Sequence, residues 1–160
     1  MHLYIFRVND TTMSLKEQIT NDMKAAMRAH ETARLGTIRL LLAAIKQREV
    51  DERITLDDAG ITAVIDKMIK QRRDSISQFK TAGRDDLVSR ESAEVAVLSA
   101  YMPAQLSDAQ IAAEVQAAII QAGASGAQDM GKVMGVLKPK LAGRADMTAV
   151  SARVRAALAS

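Results

Sequence analysis

Apolar side chains recur every three to four residues along most of this chain, and nowhere do they alternate with period two for long enough to line a strand. That pattern restricts the chain to helices packed on helices. The ring count points the same way. Only Tyr4, Phe6, Phe79 and Tyr101 are aromatic, so a core must be filled by Leu, Ile, Val, Met and Ala, a palette that suits helical bundles better than sandwiches. The expected fold class is all-α.

Local signals divide the pattern into seven helices. Ser14-Leu-Lys-Glu17 reads as a capping box, followed on one face by Leu15, Ile19, Met23, Ala26 and His30. A second helix over about 33–49 carries Leu35, Ile38, Leu41, Leu42 and Ile45. A third starts near Thr55, runs through Ile61, Val64, Ile65, Met68, Ile69, Ile76 and Phe79, and stops at Gly83. The segment 84–102 supplies a fourth, with Leu87, Val95, Leu98, Tyr101 and Met102 inward. Pro103 interrupts the periodicity, and Ser107-Asp-Ala-Gln110 is a second capping box. It opens a fifth helix with Ile111, Val115, Ala118 and Ile119 inward, closed by Gly123. The sixth falls in 129–146, and Asp146 caps a seventh with Val150, Val154 and Leu158 on its face.

The break at 102–107 predicts a four-helix N-terminal domain over 14–102 and a small three-helix tail domain over 103–160. Residues 1–13 belong to neither. A second methionine directly before the first capping box suggests a disordered leader or a mis-assigned start at Met13.

Composition excludes several chemistries. With no cysteine there is no disulfide, no thiolate nucleophile and no Cys-based zinc site. No apolar run approaches the roughly 18 residues of a membrane span, and the first residues are too few and too polar for a secretory signal. The expectation is a cytoplasmic protein with no membrane role, no metal and no cofactor. His30-Glu31 is half of a metal motif, but Arg34 stands where the second histidine would be. Asp57–Asp58 and Asp85–Asp86 fall at helix starts, where carboxylates satisfy amides and the helix dipole. The basic run 67–73 reads as a solvated face or an accessory RNA surface. Arg39, on an otherwise apolar helix, is expected to pair with a carboxylate.

One stretch does not fit a helix built only for a core. Residues 129–146, DMGKVMGVLKPKLAGRAD, hold three of the eight glycines, one of the two prolines and four basic side chains. At about 100° per residue, Met130, Val133, Met134, Leu137 and Leu141 share one side. Gly131 and Gly135 lie beside each other away from it, and each costs a helix about 1 kcal/mol relative to alanine. Two compensations are open. A neighbouring helix could cross closely at the two glycines. Alternatively, a sugar-phosphate backbone could lie in the trough, among Lys132, Lys138, Lys140 and Arg144. From Gly131 onward there are six basic residues against one acidic, a field that attracts polyanions. No ring lies nearby for base stacking, so recognition would be by shape and charge.

These residues also carry a resemblance. YMPAQLS, a helix, then DMGKVMG and LKPKLAGRAD resemble the tail shared by the YqeY family and GatB, the subunit of glutamine-dependent tRNA amidotransferases that handles misacylated tRNA. KAAMRAHETARLGTIRLLLAAIKQREVD and RRDSISQFKTAGRDDL resemble YqeY proteins in particular, and the likeness covers about residues 14–158. It implies a helical tail whose Gly131, Lys132, Gly135, Gly143, Arg144, Ala145 and Asp146 match the family signature, and it implies tRNA, or an amidotransferase or other translation-related complex, as partner. Databases attach a carbon–nitrogen ligase term with glutamine as amido donor to the family. This chain shows no catalytic constellation for it, and no GxxxxGK[ST] phosphate loop. Three readings follow: a tRNA-docking protein, an accessory factor of transamidation, and a protein-interaction module with no RNA role. A DNA-reading helix-turn-helix lacks the base-contacting side chains at the start of a recognition helix.

Overall fold

The computed structural model describes residues 13–160, so the leader reading of residues 1–12 lies outside the described residues. All regular structure there is helical: α1 Leu15–Arg28, α2 Thr32–Glu52, α3 Asp58–Thr81, α4 Asp85–Ser99, α5 Asp108–Ala122, α6 Met130–Leu141 and α7 Met147–Ala159, with a 3₁₀ turn at Ala127–Asp129. The chain divides into two compact units, one ending at Tyr101 and one spanning Met102–Ser160.

The first unit contains α1 to α4. Its opening box is complete: Ser14 Oγ accepts from the Glu17 amide at 3.2 Å, and Glu17 accepts from the Ser14 amide at 3.0 Å. α3 begins later than the periodicity suggests. The Asp57 carboxylate caps the Gly60 amide at 2.8 Å, and the Asp58 carboxylate accepts from the Leu15 amide, which fixes the start against α1. α2 runs three residues past its expected end and stops at Arg53, whose φ of 55° is left-handed. Gly83, also left-handed, ends α3 as expected.

Ile19, Ala26, Ile38, Leu41, Ile45, Ile61, Ile65 and Leu98 form the buried interior of this unit. Leu87 and Val95 are only half-buried. His30 is not on the inward face of α1; it is exposed beyond the helix end with φ 56°. Polar ties close the bundle. Tyr101 Oη donates to Asp22 at 2.6 Å, and Arg72 pairs with Glu94 at 2.7 Å with both side chains about 15% exposed. Glu49 accepts from Lys16 Nζ at 2.9 Å and from the Leu56 amide at 3.0 Å.

The second unit contains α5, α6 and α7. The Ser107–Gln110 box opens α5, Gly123 in the left-handed region closes it, and Asp146 caps α7 through the Thr148 amide. Ile111, Val115 and Ala118 of α5 pack against Val133, Met134, Leu137 and Leu141 of α6 and Val150 and Val154 of α7. α6 therefore turns its long apolar side chains inward and presents what remains to solvent.

Candidate nucleic-acid interface

What remains on α6 includes two positions with no side chain. At about 100° per residue, Gly131, Gly135 and Pro139 follow one another along the side opposite the Val133–Leu137 core. A side chain at either glycine would meet no heavy atom within 4 Å among the described residues. Within the second unit neither α5 nor α7 crosses there, so the first of the two compensations is missing from the unit's own packing. Pro139 lies inside α6 and not at its end. Having no N–H, it cannot bond the Gly135 carbonyl one turn earlier. The outer face of α6 is thus weak in helix propensity, and the Gly135 carbonyl lacks its usual amide donor.

The cations do not form one cluster around this strip. Lys132 borders it on one side and Lys138 on the other, while Lys140 falls about 80° beyond Lys132 on the helix circumference. Lys132 reaches back to Asp129 at 3.6 Å. The Asp129 carboxyl is held below the usual range, first by the Ser125 amide that donates to it at 2.9 Å and then by Lys132. Lys138, Lys140 and Arg144 are exposed and make no ion pair among the described residues. Arg153 is engaged with Asp108 at 2.9 Å.

Gly143 has a different role from the other two glycines. Its φ of 75° is left-handed, so the turn between α6 and α7 requires it for conformation. That turn is also a docking point that periodicity did not reveal. Gln105 Nε2 donates to the Gly143 carbonyl at 2.7 Å, and the Leu106 amide donates to the Arg144 carbonyl at 2.9 Å. The segment before α5 thereby braces the loop carrying Arg144. Irregular chain held by main-chain carbonyls has no periodic signature, and only the Pro103 break marks its place.

The other candidates resolve as structural. Asp57, Asp58 and Asp86 are engaged by the Gly60 amide, the Leu15 amide and Arg84. Among the described residues no group of three His, Cys, Asp or Glu could hold a metal. In the run 67–73, Arg72 is tied to Glu94 and Lys70 to Asp66, so half of its charge is neutralised locally. The expected partner of Arg39 is absent: this side chain is exposed and unpaired among the described residues. Glu49, two to three turns on along that flank, is already occupied by Lys16.

The model of the Yqey-like protein family matches residues 16–158. Curated relatives named "Altered inheritance of mitochondria protein 41, mitochondrial" include one from Eremothecium gossypii, 42% identical over 54% of this chain and 48% of the relative. That from Lachancea thermotolerans is 39% identical over 66% of this chain and 56% of its own length. One from Saccharomyces cerevisiae strain YJM789 is 35% identical over 52% and 46%. The chain spans about half the length of the curated relatives it matches. The expectation of a cytoplasmic protein does not stand, because these relatives are named as mitochondrial. Lack of cysteine and of a spanning segment suits any aqueous compartment, so those two features never selected the cytoplasm.

Proposed function

The chain belongs to the Yqey-like protein family, and from that premise we propose that residues 103–160 act as an RNA-docking domain that grips tRNA by shape and charge. The observation that carries this reading is the open outer face of α6. Among the described residues Gly131 and Gly135 have nothing over them, and Lys138, Lys140 and Arg144 are left without carboxylate partners. A ribose-phosphate strand can approach the α6 main chain where no Cβ intervenes. In this reading a 2′-hydroxyl, the group that distinguishes RNA from DNA, donates to main-chain carbonyls along the strip. Phosphates would meet Lys138 on the border of the strip and Arg144 beyond its end, with Lys132 shared with Asp129. The resemblance of this segment to the GatB tail supports tRNA as the RNA class.

The test is binding of total tRNA by the full chain across a salt series. Lys138→Ala and Arg144→Ala should each weaken all tRNAs alike and reduce the slope of log K against log salt by about 0.7–0.9. Tight tRNA binding with an unchanged slope in both variants defeats the proposal. Because the reading assigns no chemistry to the chain, adding it to a purified tRNA amidotransferase should leave the rate of amide formation unchanged. A rate change would favour the accessory-factor reading. Retention of protein partners after nuclease treatment would favour the interaction-module reading.

A further inference from the structure

The missing partner of Arg39 leads to a second surface, in the first unit. Arg39, Lys46 and Arg53 are spaced seven residues apart, so they line one flank of α2 at intervals of about 10.5 Å, a row of about 21 Å. All three are exposed, and none makes an ion pair or a side-chain hydrogen bond among the described residues. Glu49 is the carboxylate adjoining this flank. Its oxygens are taken by Lys16 Nζ at 2.9 Å and by the Leu56 amide, and the charge of Lys46 further lowers its pKa. The three cations thus stand unpaired among the described residues, on a helix held rigid by Ile38, Leu41 and Ile45 in the bundle.

Arg53 adds an independent sign. It is the C-cap of α2 and sits at φ 55°, ψ 44°, a conformation for which glycine is the usual residue. An arginine there costs roughly 1 kcal/mol in backbone strain relative to glycine. The cation itself suits the C-terminal end of α2, and its exposed side chain carries the row one step past the helix.

We propose that the Arg39–Lys46–Arg53 row is a second phosphate-contacting surface, which binds the backbone of double-helical RNA without reading its sequence. A straight, rigid row of evenly spaced cations fits a stiff polyanion. A lipid surface is a poorer fit, because the apolar face of α2 is buried in the bundle and cannot insert beneath the charges. This surface stands on its own observations and does not require the α6 strip to bind RNA.

The experiment uses the full chain and a short fluorescein-labelled RNA duplex, titrated from about 50 to about 200 mM salt. Three phosphate contacts give a slope near −2.7, so they account for a loss of about 40-fold in affinity across that range. The triple variant Arg39→Gln, Lys46→Gln, Arg53→Gly should remove most of that slope, with an unchanged or slightly higher melting temperature showing that it folds. Lys67→Gln, Lys70→Gln, Arg73→Gln removes the same net charge from α3 and serves as control. Equal loss in the control, or an unchanged slope in the α2 triple, overturns the inference, and so does binding of anionic-lipid vesicles without binding of the duplex. Loss of slope with Lys138→Ala and Arg144→Ala but not with the α2 triple overturns this inference and leaves the tail reading standing. The reverse result retains this surface and removes the tail.

Discussion

Replacing Gly131 and Gly135 together by alanine separates the fold's interest from the function's. Both glycines lie within α6 with φ in the ordinary helical range, and nothing within 4 Å would obstruct a new methyl group. Alanine at such a site stabilises by about 0.4–1 kcal/mol, because the unfolded chain loses freedom and the helix gains propensity. The pair should therefore add about 0.8–2 kcal/mol. For a chain of this size each kcal/mol raises Tm by about 2–4 °C, so the double variant should melt about 2–8 °C higher. Differential scanning calorimetry measures the first consequence, and tRNA titration at fixed salt measures the second. Two methyl groups on the open strip would hold a ribose-phosphate strand off the α6 main chain, so affinity should fall by about tenfold or more even as stability rises, a loss of about 1.4 kcal/mol. A Tm that stays level or drops refutes the claim that the strip is unobstructed. A higher Tm with unchanged tRNA affinity refutes the claim that RNA approaches there.

Three further outcomes test the framework around the two surfaces. Leu137→Ala, which opens a cavity at a fully buried position between α5, α6 and α7, should cost about 2–5 kcal/mol in urea unfolding. Tyr101→Phe deletes the 2.6 Å bond to Asp22 and should cost about 1–2 kcal/mol in the same assay; burial and that bond also push the phenol's pKa upward, so its contribution should be complete below about pH 10 and fade only at higher pH. Glu49 is held below its ordinary pKa by Lys16 and the Leu56 amide, so the stability it supplies is present above about pH 4.5 and is lost as pH falls through the lowered folded-state value. Melting curves of Glu49→Gln should therefore lie below the parent chain at neutral pH and converge with it in acid; a gap that persists in acid would refute that assignment.

What could be read from the sequence was what is decided within one helical turn. The boxes at Ser14 and Ser107, the left-handed stops at Gly83 and Gly123, and the inward residues of α6 depend on neighbours three or four positions apart. Arg39 failed for the opposite reason. Whether a carboxylate waits for it depends on which helix packs alongside, and among the described residues none comes within ion-pair reach. The start of α3 shifted from Thr55 to Asp58 because one aspartate caps its own helix and the next reaches across to α1. At the candidate interface, the residues were identifiable but their arrangement was not. Gly143 enters through the family signature, and its left-handed φ assigns it to the turn, while the bracing by Gln105 and Leu106 runs through main-chain carbonyls that carry no residue preference.

The cations differ in how far the fold itself accounts for them. Lys138 and Lys140 lie in the last turn of α6, where positive charge offsets the partial negative charge of the helix end and is worth about 0.3–1 kcal/mol. Their presence alone would not require a ligand. Arg144 is different: it lies between two helix ends, just past the negative end of α6 and two residues before the Asp146 cap at the positive end of α7, so the dipoles do not account for a cation there. Arg53 is different as well, since it occupies a left-handed cap that glycine would fill without strain. In each unit, then, one exposed arginine at a helix boundary has no carboxylate partner among the described residues. These two arginines, more than the net charge of +3, are why the binding experiments should turn on them.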